Sequence, residues 1–274
     1  MVPDLRPRGI GEILDSAVAL YRARFTKLVL VAATVVVPVQ VLSAIVMLSA
    51  EPKGFTLNVT GTVSPHYDAG SFAVRFAATV VVAVIGILST ALIVAVCTRI
   101  VADAYIDRSS QTREAVHEVR PRVFAVIGTS LIVLISEAIG FVFCLVGALV
   151  PLVVFAVAVP VLILERTGVS AALARSITLT KAHALHVLGM VLTAQLLAAI
   201  LNGGLALAAH LLLRSGGGTV AAVIAQSIAS TIAGVLTTPF VATAIVVLYF
   251  DLRIRDEAYD VQLLMQRNDA RIAV

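Results

Sequence analysis

Charge is scarce in this chain. Only 13% of its 274 residues are Asp, Glu, Lys or Arg, against roughly 25% in an ordinary soluble domain. With 60% hydrophobic residues and a mean hydropathy of +1.04, the composition excludes an ordinary soluble domain and points to a polytopic membrane protein, so the length is not divided into globular domains. Cysteine is nearly absent: Cys97 and Cys144 are the only two. In the topology derived below they lie near opposite faces of the bilayer. A disulfide needs Cα atoms within about 7 Å, so two free thiols are expected. Catalytic signatures are missing as well. The chain has no Walker motif, no H-E-x-x-H, no G-x-S-x-G and no cysteine cluster. No catalytic residue, metal site or cofactor is assigned. A cleavable leader is not expected either, because the first apolar run, Leu28 to Ser49, far exceeds the roughly 7–15 residues of a signal-peptide core. The net charge of +4 would suggest nucleic acid in a soluble protein. Here most basic residues flank apolar runs, which is the membrane pattern, and no nucleic-acid partner is expected.

What the chain does contain is six long apolar stretches, at about 28–49, 76–97, 123–146, 148–164, 187–213 and 220–250. A bilayer core of about 30 Å needs about 20 helical residues, so an all-α protein with six transmembrane helices follows. Pro38 and Pro160 should bend their helices, and Pro239 should interrupt the sixth. Asn202-Gly203-Gly204 should weaken the fifth. The third and fourth spans are nearly continuous; one rod from Val123 to Leu164 would be about 63 Å long, twice the bilayer core. Gly147 and Pro151 mark the expected turn. The second span should continue as a helix beyond the membrane through Arg99, Asp103 and Asp107, which share one face at i, i+4, i+8. Ala221, Ala225, Ala229 and Ala233 form a small-residue stripe that lets helices approach closely. The polar segment 51–71 reads as a loop, with a weak hairpin pattern at Phe55, Leu57, Val59 and Val63, and 251–274 as a tail that starts as a charged helix.

Amphipathic segments separate the spans. From Ile10 to Phe25 apolar residues recur at helical spacing, with Gly9 and Glu12 suited to the helix start. This segment reads as an interfacial helix, its stripe sunk in the acyl boundary and Arg22, Arg24 and Lys27 on anionic headgroups. A weaker stripe at Ala115, Val116 and Val119 is broken at Pro121. After Glu165-Arg166, Gly168 turns the chain, and a third stripe starting near Ser170 includes Ala172, Ser176 and Thr180. Placing the N-terminus in the cytoplasm leaves only Lys53, Arg75 and Arg214 of the 20 Lys and Arg outside. The positive-inside rule therefore puts both termini in the cytoplasm.

Short matches suggest three units, each a surface helix followed by a two-span hairpin. Tyr105-Ile106-Asp107-Arg108 then Thr112 parallels Ile163-Leu164-Glu165-Arg166 then Ser170, and Val126-Ile127-Gly128 parallels Val187-Leu188-Gly189. The hydroxyl residues are placed to cap a helix. The sixth span also leaves through an acid and a base, Asp251 and Arg253. Parallel repeats would be related by an axis along the membrane normal. The common tendency of helices to leave a membrane through charges explains part of this equally well.

Three parts of the chain together resemble a known family. They are Leu5-Arg6-Pro7-Arg8-Gly9-Ile10-Gly11-Glu12-Ile13-Leu14-Asp15 with Leu20-Tyr21-Arg22, then Glu165 with Gly168, Ala171 to Ser176 and Leu179-Thr180, and last Leu248 to Glu257. The chain is similar to the bacterial glycerophosphoryl diester phosphodiesterase membrane-domain family. Ile177 stands where the resemblance would place an aromatic residue. The resemblance implies a bacterial plasma-membrane protein without the family's soluble phosphodiesterase domain. His117 and Glu118 lack the spaced acids that such a domain's metal site requires.

Glu137 is the sharpest polar candidate, fourteen positions beyond Val123 and near mid-bilayer. An ionised acid there costs about 2.5–3.5 kcal/mol on insertion scales, so Glu137 should be protonated, paired or facing a wet cavity. Gln40, Gln195 and Gln226 are candidate polar neighbours at depth. At the cytoplasmic face Arg99, Asp103, Asp107, Glu165, Arg175, Asp251 and Arg253 are candidate ion-pair formers. His183 and His186 have the i, i+3 spacing of a metal pair but no third His or Cys nearby, and read as headgroup or water contacts. The expected role is a non-enzymatic scaffold, assembly factor or membrane subunit of a complex, in contact with anionic lipids and with protein partners or copies of itself. The alternative is a small transporter or lipid-handling permease that uses Glu137. A lipid-tight bundle would favour the first, and a cavity reaching Glu137 the second.

Overall fold

A computed structural model describes residues 9–49, 69–105, 112–143, 145–213 and 219–257. They are helical throughout, apart from short connections. The helices are α1 (Ile10–Ala23), α2 (Phe25–Ser49), α3 (Ala69–Tyr105), α4 (Thr112–Val119), α5 (Val123–Phe143), α6 (Leu145–Val154), α7 (Ala158–Leu164), α8 (Val169–Lys181), α9 (Ala184–Leu213) and α10 (Thr219–Glu257). Six stretches are long and apolar enough to cross a membrane, with α6 and α7 together forming the fourth. Phe124, Leu185 and Val142 are 87%, 84% and 82% exposed. Large apolar side chains turned outward need a hydrocarbon solvent, so this is a multi-pass membrane protein. The hairpin pattern within 51–71, Asp107, Cys144 and the tail beyond 257 lie outside the described residues. Cys97 is a buried free thiol.

The order short helix, span, span occurs three times, and the arrangement is cyclic. Helix α4 lies on α3, α8 lies on α7, and α1 lies on α10, so each short helix covers the second span of the preceding unit. The two sequence-matched glycines share a role in this. A Cβ added to Gly128 of α5 would sit 3.7 Å from Val169, the first residue of α8. One added to Gly189 of α9 would sit 2.7 Å from Ile10, the first residue of α1.

Several expectations need correction. Part of the α1 stripe is covered by protein: Ile13 and Ala17 are fully buried, and Tyr21 donates its hydroxyl to the Leu236 carbonyl of α10 at 3.0 Å, while Val18 and Phe25 remain exposed. Burial raises the Tyr21 phenol to about 12, so it remains a donor. The start of α1 is as expected, with the Glu12 carboxylate accepting from the Gly9 N–H at 3.0 Å. Helix α5 ends at Phe143 and α6 begins at Leu145, so Gly147 and Pro151 both lie inside α6. Gly147 instead permits close packing: a Cβ on Gly140 would lie 2.6 Å from the Gly147 carbonyl oxygen. Gly168 is the extended N-cap of α8, so Ser170 is already within the helix. The residue that reverses the chain is Arg166, at φ 53°, a left-handed conformation that costs an L residue about 1–2 kcal/mol. Its side chain is held by Glu118 at 2.6 Å.

Pro239 and Asn202-Gly203-Gly204 do not interrupt their helices, since α10 and α9 run through them. Backbone groups in lipid have no water to turn to, so helix is retained where a soluble chain would break. Asn202 also donates to the Ala198 carbonyl at 2.7 Å and to Thr237 of α10 at 3.4 Å, which ties the two helices together. Ala229 and Ala233 of the small-residue stripe are buried. Helix α2 likewise continues through Pro38.

The fourth span does break, at 155–157. Pro160 sits in the first turn of α7, where its missing N–H is tolerated. The break leaves the Val154 carbonyl without its helical donor, Ala158 N, which bonds Phe155 instead. Two hydroxyls of α8 replace it: Ser176 donates to the Val154 carbonyl at 2.7 Å, and Thr180, whose proton is shared with the Ser176 carbonyl at 2.9 Å, reaches it at 3.3 Å. Both are fully buried. Ser176→Ala with Thr180→Val strands that carbonyl, which costs about 1–3 kcal/mol. Thermal unfolding in a fixed detergent should show a lowered midpoint for the double variant, and each single variant should lose less.

Candidate functional site

Two polar features stand out in an otherwise apolar bundle. The first is a cavity of about 610 Å³ bounded by α3, α5, the α6–α7 break, α9 and Ile245 of α10. On α3 it is lined by Ala83, Gly86, Ile87, Thr90 and Val94, one helical face. Small residues make the space: a Cβ added at Gly86 would meet nothing within 4 Å. On the opposite side the break brings Phe155, Ala156, Val159 and Pro160 to the wall. Ala83, Ile87, Thr90 and Gln195 are exposed, so the cavity is open.

Glu137 of α5 lines this cavity, and so does Gln195 of α9. Glu137 is half-buried and makes no hydrogen bond or ion pair with any described residue. At 1.5 Å per residue it lies about 21 Å along α5 from Val123. Of the four polar candidates at depth, the fold brings these two together. Gln40 of α2 and Gln226 of α10 lie elsewhere, and Gln226 is exposed. Sequence reasoning missed Thr90 and Ser130, which also line the cavity. A hydroxyl among apolar helical residues carries no signal until its face is known.

The second feature is a layer of charges at the end of the bundle that carries the short helices. Glu165, just after α7, accepts from the Tyr249 hydroxyl at 2.9 Å and from Arg175 Nε at 3.4 Å. Arg253 donates to the same Tyr249 oxygen at 3.4 Å, with its guanidinium 5.8 Å from the ring centroid. A parallel chain joins Arg166 to Glu118 at 2.6 Å, Glu118 to Arg99 at 2.7 Å, and Arg99 to Asp103 at 3.2 Å. Arg122 caps the end of α7 by donating to the Leu162 carbonyl at 3.3 Å. Thus α3, α4, α7, α8 and α10 meet through named pairs.

The candidate residues Arg99, Asp103, Glu165, Arg175, Asp251 and Arg253 all fall in this layer. Asp251 pairs with Arg255 at 2.7 Å, whereas Arg253 turns to Tyr249. Residues two apart on a helix face different directions, while i and i+4 share a face. His183 Nε2 lies 3.0 Å from Asp256 Oδ1, and His186 Nε2 lies 3.4 Å from Asp251 Oδ2, close but without hydrogen-bond geometry. The two histidines therefore face separate acids of α10. Glu118, which bridges two arginines, was visible in the sequence only as an acid beside a weak stripe.

No protein-family model, no curated protein and no solved structure matches the chain.

Tyr249 is fully buried while Glu165 keeps partial contact with solvent. Tyr249→Phe removes one buried hydrogen bond to a charged group and should cost about 1.5–3 kcal/mol. A thermal-unfolding cycle with Glu165→Gln should show a coupling of at least about 0.5 kcal/mol between the two positions. Additive losses would mean that the contact carries no stability.

Proposed function

We propose that this protein holds a molecule drawn from the bilayer, as a small permease or lipid-handling protein of a bacterial plasma membrane with both termini in the cytoplasm. The observation that carries the reading is the open cavity of about 610 Å³ that reaches Glu137. Its size suits a small-molecule site, and a scaffold needs no such space. A discontinuous helix at the wall, here α6–α7, is a feature of membrane proteins that bind solutes between their helices. The resemblance to the glycerophosphoryl diester phosphodiesterase membrane-domain family accords with a role without hydrolytic chemistry. Basic residues concentrated at one end accord with the cytoplasmic assignment and with anionic lipid contact there.

Purification in native-lipid nanodiscs, followed by extraction and mass spectrometry, tests the cavity. Wild type should carry a molecule that is depleted several-fold in Gly86→Leu, a change that adds a side chain into open space. Equal cargo in the two proteins overturns the reading. Orientation is tested separately: Arg113→Cys, in a background with Cys97 and Cys144 replaced by alanine, should react with a membrane-impermeant maleimide only in broken cells. Labelling of intact cells would reverse the topology.

A further inference from the structure

The cavity has an excess of hydrogen-bond acceptors. Among the described residues lining it, Glu137 is the only ionisable one, with no Lys, Arg or His. The Thr90 hydroxyl gives its proton to the Gly86 carbonyl at 2.9 Å, so only its lone pairs remain for a guest. At the α6–α7 break one carbonyl beside the wall lacks an i+4 helical donor. The Ala156 carbonyl would be bonded in a continuous helix by the N–H of residue 160, but Pro160 has none, and both residues line the wall. Gln195 and Ser130 can each give or accept. The rest of the wall is alkyl and aromatic, from Ile87, Leu134, Leu152 and Phe155.

From this we infer that the cavity takes an amphiphile with a primary ammonium end and an apolar chain, seated with its nitrogen on Glu137. The inference rests on the proposed ligand-binding function and adds the chemical class of the guest. An ammonium carries three donors and no acceptor, which complements an acid beside unclaimed oxygens. It also neutralises the one charge that the bilayer would otherwise penalise. A phosphate or carboxylate end would meet an acid and carbonyl oxygens with no cation on the wall, and would bury its charge unpaired. A bare metal ion would leave the space of about 610 Å³ and its apolar wall unused.

The test uses the full-length protein in nanodiscs, with empty nanodiscs subtracted, and equilibrium dialysis of dodecylamine, dodecanol and dodecyl phosphate. Wild type should bind dodecylamine at least about tenfold more tightly than dodecanol, the value of one charge-assisted hydrogen bond. Dodecyl phosphate should fail to compete. Glu137→Gln, nearly the same shape, should remove the amine preference. Gly86→Leu should weaken every ligand. Equal binding of amine and alcohol by wild type overturns the ammonium assignment, as does competition by the phosphate. If Gly86→Leu still abolishes binding in that case, the cavity keeps its role. If no ligand binds above empty nanodiscs, both readings fall. The wild-type competition needs no variant, so the assignment can be refuted even if Glu137→Gln does not fold.

Discussion

A carbonyl that loses its helical donor inside a bilayer has no water to replace it. That constraint organises this molecule. Most of the chain meets it by staying helical through proline, glycine and asparagine, as α2, α9 and α10 do at Pro38, Gly203 and Pro239. Where the fourth span does break, the freed Val154 carbonyl is met by Ser176 and Thr180. These donors lie on α8, outside the hairpin, so satisfying the break fixes a short helix against the span it covers. The same break shapes the cavity wall at Phe155, Ala156 and Pro160. One local irregularity thus links a surface helix to the candidate site.

The charged layer extends this link across the bundle. Glu165 follows directly on α7 and joins Arg175 of α8 to Tyr249 of α10. Arg166, held in a left-handed turn, carries the connection on to Glu118 and Arg99. Partly exposed pairs of this kind contribute little each. Their value here is positional: they fix how the ends of α3, α7 and α10, each the second span of a unit, stand relative to one another. Beneath that layer the helices enclose open space without a plug of large side chains at Gly86.

Hydropathy made the spans legible, because a lipid-exposed face leaves no polar alternation to obscure length. The extension of α3 through Arg99 and Asp103 was legible for the same reason that their pairing was, since i and i+4 spacing is read directly from sequence. The exact turns were not. Gly147 in sequence signals flexibility, yet in the fold it serves contact with Gly140; the two uses of glycine look alike until the partner is known. Ser176 and Thr180 read as small members of a stripe, because the carbonyl they serve belongs to another helix. Glu137 was conspicuous through its cost in lipid, but its cavity was not, since that depends on five separated segments converging. Of the polar candidates at depth, Gln195 lines the same cavity whereas Gln40 and Gln226 do not, because depth along a span says nothing about which side of the span faces inward.

Helix α1 closes the circle by resting on α10, a segment made some two hundred residues later. Ile13 and Ala17 are fully buried, and α10 is among the helices that cover α1. The ring is thus closed by a contact between helices that stand far apart in the chain, so the seat of α1 depends on the placement of α10.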